Sequence, residues 1–167
     1  MNPITMRLGF LLISLGFSGP SLCDNTPLHL NAKGTIELAF TPEHNAQGVI
    51  LRAIDGARRQ IAVQGYSFTS RDIAEALIRA HQRGVRVQVI LDTDQALRLS
   101  GSQLDTLAAA AIPLWLDGYH RAAHSKIILI DPSDPQGAVL TGSYNFSNAA
   151  QQSNSENLLL LRGNPTL

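Results

Sequence analysis

Apolar and polar positions along this chain alternate with two different periods. Thr35-Ile36-Glu37-Leu38-Ala39-Phe40 alternates with period two and predicts a strand that ends before Pro42. Val49, Ile50, Ala53, Ile54 and Ala57 recur at helical spacing, with Arg52, Arg58 and Arg59 off that stripe. Residues 61–66 read as the next strand. Thr69 with Asp72 resembles a helix-starting box; Ile73, Ala76, Leu77 and Ala80 form the apolar face, and Arg79, His81, Arg83 and Gly84 stop the helix. A strand over 85–91, a helix over 102–111 and a short strand over 112–116 follow. Residues 126–130 and 138–140 read as strands joined by the turn-rich stretch 131–137, and 157–161 as the last strand. The unbroken apolar runs Ile127-Ile128-Leu129-Ile130 and Leu158-Leu159-Leu160-Leu161 suit central strands buried on both sides. Strands alternating with helices predict an α/β fold, a mixed β-sheet flanked by helices on both faces.

Composition narrows the possibilities. The 167 residues suit one domain, and 44% apolar with 16% charged residues excludes disorder and a coiled coil. Lys+Arg and Asp+Glu both number 13, so the chain lacks the positive excess of a strongly basic nucleic-acid binder and must grip any anionic partner locally. Lys33 and Lys126 are the only lysines. The single cysteine, Cys23, excludes an internal disulfide and a multi-cysteine zinc site. Residues 1–23 read as a signal peptide: Arg7, an apolar run over 8–17, small turn-prone residues over 18–21, and Ser21-Leu22-Cys23 ahead of Asp24. The run falls short of the ~20 apolar residues of a membrane helix, so export to the periplasm or medium is expected, with no transmembrane segment. Residues 24–34 form a polar leader, and 35–167 the functional domain.

Candidate chemistry concentrates after Tyr119. His124 and Lys126 stand two apart at the mouth of a strand and so face one side. Gly142-Ser143-Tyr144-Asn145 follows the neighbouring strand: a glycine that admits close approach, then two small hydrogen-bonding side chains, again two apart. Paired as a hairpin, the strands would bring an imidazole, an ammonium, a hydroxyl and a carboxamide together. That set suits a tetrahedral phosphate, with Lys126 supplying charge, Ser143 and Asn145 directional contacts, and His124 a nucleophile or proton carrier. Glu156 opens the final strand, placed to accept the second ring N–H of His124 and fix its tautomer.

His-x-Lys-x4-Asp followed by Gly-Ser-x-Asn resembles the signature of the phospholipase D superfamily, and the chain from about Ile36 to Leu161 is most similar to its small single-motif bacterial endonucleases. Tyr66-Ser67-Phe68 and Asn154-Ser155-Glu156-Asn157 belong to the resemblance. It implies a two-step phosphodiester hydrolysis without metal or other cofactor. His124 attacks phosphorus, a second histidine protonates the leaving oxygen, Lys126, Ser143 and Asn145 hold the non-bridging oxygens, and Glu156 orients His124. One motif per chain implies a homodimer sharing one active site. Asp131, at the far end of its strand, is expected to stabilise a turn rather than to react.

Two departures from the family stand out. Ten residues, 132–141, separate Asp131 from Gly142 where relatives usually have six, and the family's C-terminal helix, which packs on the sheet, is expected to be missing. His120 and His124 have a metal-ligand spacing but no glutamate between them, which disfavours zinc. His29, His44 and His81 read as solvated, and Trp115 and Tyr66 as core, with Tyr66-Ser67-Phe68 bordering the cleft. Three functions follow from these residues: an exported nuclease of low sequence preference, a secreted phospholipase D acting on phospholipid head groups, and a non-catalytic phosphate-binding relative.

Overall fold

The computed structural model describes residue 27 and residues 29–167, so the expected signal peptide and the start of the leader lie outside the described residues. In chain order the elements are β1 (Thr35–Thr41), α1 (Ala46–Asp55), β2 (Gln60–Gly65), α2 (Arg71–Gln82), β3 (Arg86–Asp92), α3 (Thr93–Arg98), α4 (Leu104–Ala109), β4 (Leu114–Asp117), β5 (Ile127–Ile130), β6 (Ala138–Gly142), α5 (Asn148–Gln152) and β7 (Glu156–Arg162). The seven strands form one mixed sheet in the order β1-β7-β6-β5-β2-β3-β4. β2, β3 and β4 run parallel through helical crossovers, while β5, β6, β7 and β1 are antiparallel. The predicted hairpin forms, with Ile127 opposite Thr141 and Ile130 opposite Ala138.

One face of the sheet presents Ile61, Val63, Val87, Val89, Ile128, Leu140 and Leu158, none more than 3% exposed. Val49, Ile50, Ala53 and Ile54 of α1, and Ile73, Leu77 and Ala80 of α2, complete that core. Helix α2 starts one residue later than the box at Thr69 suggested. Its cap is Ser70, whose Oγ accepts the Ile73 N–H.

The opposite face departs from expectation. Among the described residues no helix covers it, although helices on both faces were expected. Ile36, Leu38, Phe40, Ile90 and Trp115 are exposed there, and Leu129, Val139 and Leu159 only half-buried. The apolar runs of β5 and β7 therefore bury one side fully and the other in part, and Trp115, expected in the core, is 50% exposed. An apolar run shows that a strand can be covered on both faces; it does not supply the cover.

The strand ends divide the molecule. The carboxyl ends of β2, β3, β4 and β6 and the amino ends of β5 and β7 point one way, the usual place for a site in an α/β sheet. The six-versus-ten departure lies at the other end, where stretch 131–137 joins β5 to β6.

Candidate functional site

His124 and Lys126 sit on the segment entering β5. Lys126 Nζ lies 2.9 Å from His124 Nδ1 and donates to the His124 carbonyl at 2.6 Å. Tyr66, just past β2, underlies both: its ring centroid is 4.3 Å from that of His124 and 4.9 Å from Lys126 Nζ, a cation–π distance. His124 is exposed, whereas Lys126 is only 6% exposed. Burial pushes the Lys126 ammonium below the ordinary lysine range, and the nearby charge of Glu156 opposes that shift.

The glycine-led segment leaves the end of β6 beside Lys126. Gly142 has φ +154°, and a Cβ there would collide with the Asn157 carbonyl, so only glycine allows the approach of β7. Ser143 and Asn157 bond reciprocally: the Ser143 N–H donates to Asn157 Oδ1 at 3.1 Å, and Ser143 Oγ accepts the Asn157 N–H at 3.0 Å. Asn145 Oδ1 is buried without a partner among the described residues. Tyr144 between them points into the core, fully buried, and its phenol is pushed up to about 12, first by burial and then by Glu156. The segment is tied to the start of α2 by the Thr69 and Ser70 N–H groups, which both donate to the Phe146 carbonyl, and by the edge-on packing of Phe68 on Phe146.

Two motif carboxylates differ in role. Asp131, at the far end of β5, accepts the backbone N–H groups of Arg58, Arg59 and Gln60 at 2.7–2.9 Å. Burial alone would raise its pKa. The three N–H groups and the Arg59 charge outweigh that and hold it below the ordinary carboxylate range. It ties the α1–β2 connection to the end of β5, as its expected turn role requires. Glu156 makes no bond to His124 in this structure: its carboxylate accepts from Asn154 Nδ2 at 3.0 Å, His124 Nδ1 meets Lys126, and the charge of Glu156 bears on Lys126. His120 turns from His124 to Asp117, at 2.9 Å.

The sequence places Tyr66-Ser67-Phe68 at the edge of the cleft and Asn157 within the resemblance, but it shows neither the tilted packing of Tyr66 against His124 nor the bonds of Asn157 to Ser143, and Asp92 carries no signal in it. Asp92 is 4% exposed and accepts the N–H of Ala123, the residue before His124, at 2.9 Å. That contact spans 31 residues and has no local signature in the sequence.

Comparison with known proteins agrees with this geometry. Residues 50–167 match the family model described as "Cardiolipin synthase, PLD-like domain". Phospholipase D of Rickettsia felis is 35% identical over 129 residues, covering 77% of this chain and 62% of that protein. The human mitochondrial cardiolipin hydrolase is 34% identical over 150 residues, 84% of this chain and 57% of that one. This chain thus spans about three-fifths of the length of these curated relatives. The crystal structure of Nuc, a phospholipase D family member from Salmonella typhimurium, superposes with a TM-score of 0.73 at 34% identity, covering 79% of this chain and 85% of Nuc. With a motif, a mixed sheet and a family match that all meet at the mouth of β5, the chain belongs to the phospholipase D superfamily.

Proposed function

We propose that this domain is a phosphodiester hydrolase that works through a phosphohistidine at His124, and that its substrate is nucleic acid. With Nδ1 turned to Lys126, Nε2 is the ring nitrogen directed away from the lysine. In the first step Nε2 bonds to phosphorus while the bond to the leaving alkoxide breaks. That oxygen takes a proton from a second imidazole opposite. Water then adds to phosphorus, passing its proton to that imidazole as the P–N bond breaks. Lys126, Ser143 and Asn145 face the charge that grows on the non-bridging oxygens. Attack needs the His124 proton on Nδ1, so Lys126 must leave Nδ1 for the phosphate, and Glu156 is then the nearby carboxylate available to hold the imidazolium. The second imidazole is that of a second copy, which makes the active form a homodimer. Export, argued from the apolar run over 8–17, completes the reading.

The observation that carries the substrate assignment is the exposed imidazole beside a buried ammonium. On the single chain His124 lies at the surface and not in an enclosure, which suits a phosphate in the middle of a long polymer. Phospholipid head groups are the second reading, supported by relatives named phospholipase D and cardiolipin hydrolase. Parallel assays of plasmid DNA and phosphatidylcholine in chelator separate them. DNA nicking lost in His124→Ala supports the first reading and head-group release lost in the same variant supports the second. Turnover of neither, or activity that survives the substitution, defeats the mechanism.

A further inference from the structure

The proposed nucleophile lies on a segment with no regular structure between β4 and β5, yet it must present Nε2 at one angle. What holds it comes from β3. Asp92, the last residue of that strand, is buried, and its two carboxylate oxygens do different work. Oδ1 accepts the Gln95 N–H at 2.9 Å and so caps α3. Oδ2 accepts the Ala123 N–H at 2.9 Å. A second path leaves the same helix turn. Gln95 Oε1 accepts the Ser67 hydroxyl at 2.7 Å, and Ser67 directly follows Tyr66, whose ring packs at a tilt of 51° against His124. Both the backbone before His124 and the surface beneath its ring therefore trace to one buried carboxylate.

We propose that Asp92 is a positioning residue for His124, fixing the nucleophile's backbone through Ala123 and, through Gln95 and Ser67, the aromatic ring packed against its imidazole. This rests on the assignment of His124 as nucleophile. Capping α3 needs one acceptor; the bond to Ala123 needs a second oxygen aimed at a segment far away in sequence. A carboxylate supplies both acceptors. A carboxamide supplies one acceptor and turns N–H against the other donor. Serine caps a helix well but cannot reach Ala123 at the same time.

The test is Asp92→Asn, with Asp92→Ser as a second variant should the first not fold. Both are assayed on bis(4-nitrophenyl) phosphate, with amide hydrogen exchange at Ala123 followed in the same samples. The expected result is a folded protein whose kcat falls about ten- to hundredfold with KM within twofold, since displacing a reacting group by about 1 Å costs on the order of a hundredfold. Exchange at Ala123 should quicken at least tenfold. A kcat within twofold of native, or unchanged Ala123 exchange, overturns the proposal, as does a loss of activity that only follows the unfolded fraction. Should the native protein show no turnover of any diester, the phosphodiesterase reading fails, and the exchange measurement alone decides whether Asp92 holds this segment.

Discussion

The two ends of β5 carry members of one motif and treat their charges in opposite ways. At one end Asp131 is enclosed by three backbone N–H groups that match its oxygens, at a left-handed turn (φ +46°) that aspartate tolerates. At the other, Lys126 is buried against an imidazole and an aromatic face, the Asn145 carboxamide oxygen has no partner among the described residues, and the imidazole itself is exposed. A satisfied charge stabilises the fold. A group held out of water with incomplete partners costs stability and is retained for what it binds. Spacing alone puts Asp131 and Lys126 in one signature; hydrogen-bond satisfaction separates them.

The contrast is sharpest in paired substitutions. Lys126→Met should lower turnover of the preferred diester at least a hundredfold while leaving the melting temperature unchanged or raised, because a desolvated ammonium is removed and its apolar stem is replaced. A large drop in melting temperature would place Lys126 with the structural charges. Asp131→Ala should do the reverse. Chemical denaturation should show a loss of about 3 kcal/mol from three part-buried backbone donors left without their acceptor, with kcat per folded molecule within about threefold of native. Because Asp131 titrates below its ordinary value of 3.8 in the folded state, its contribution is present above that value and is lost as pH falls through the lower folded pKa. The Asp131→Ala protein should therefore lack that part of the native acid slope.

A pH effect of intermediate size should appear on the alkaline side. The Lys126 ammonium is held below its ordinary 10.5, so the high-pH limb of kcat/KM should fall before that value. Glu156→Gln removes the charge that opposes the shift and should move the limb to lower pH still. A limb that stays in place would take Glu156 out of the electrostatics of the site. The smallest effect is expected at Tyr144→Phe. The phenol is buried and its oxygen unpaired among the described residues, so stability should be unchanged or higher by about 1 kcal/mol, with activity retained.

Much of this architecture can be read from the residues alone. Alternation at β1 and β3, the amphipathic stripes of α1 and α2, and the turn-rich joint between β5 and β6 are local signals with local causes. Helices α3 and α5 escaped because each spans under two turns and buries a single alanine, Ala96 or Ala150, leaving no stripe to detect. The uncovered sheet face escaped for a different reason. Leu129 and Leu159 have the same hydropathy whether or not something packs on them. In the site, His124, Lys126, Ser143 and Asn145 were legible because two paired strands carry them at spacings of two. Asp92 was not, and neither was the pairing of Asn157 with Ser143, since the partners lie 31 and 14 residues away and only the folded sheet brings them together.

The central claim is a covalent bond between phosphorus and the imidazole of His124. Rapid acid-free quenching of the protein during turnover of a labelled diester, followed by peptide mapping, tests it most directly. The account predicts acid-labile, base-stable phosphate on the peptide that contains His124, absent when that residue is alanine. Label on another residue, or full turnover without the imidazole, would contradict it.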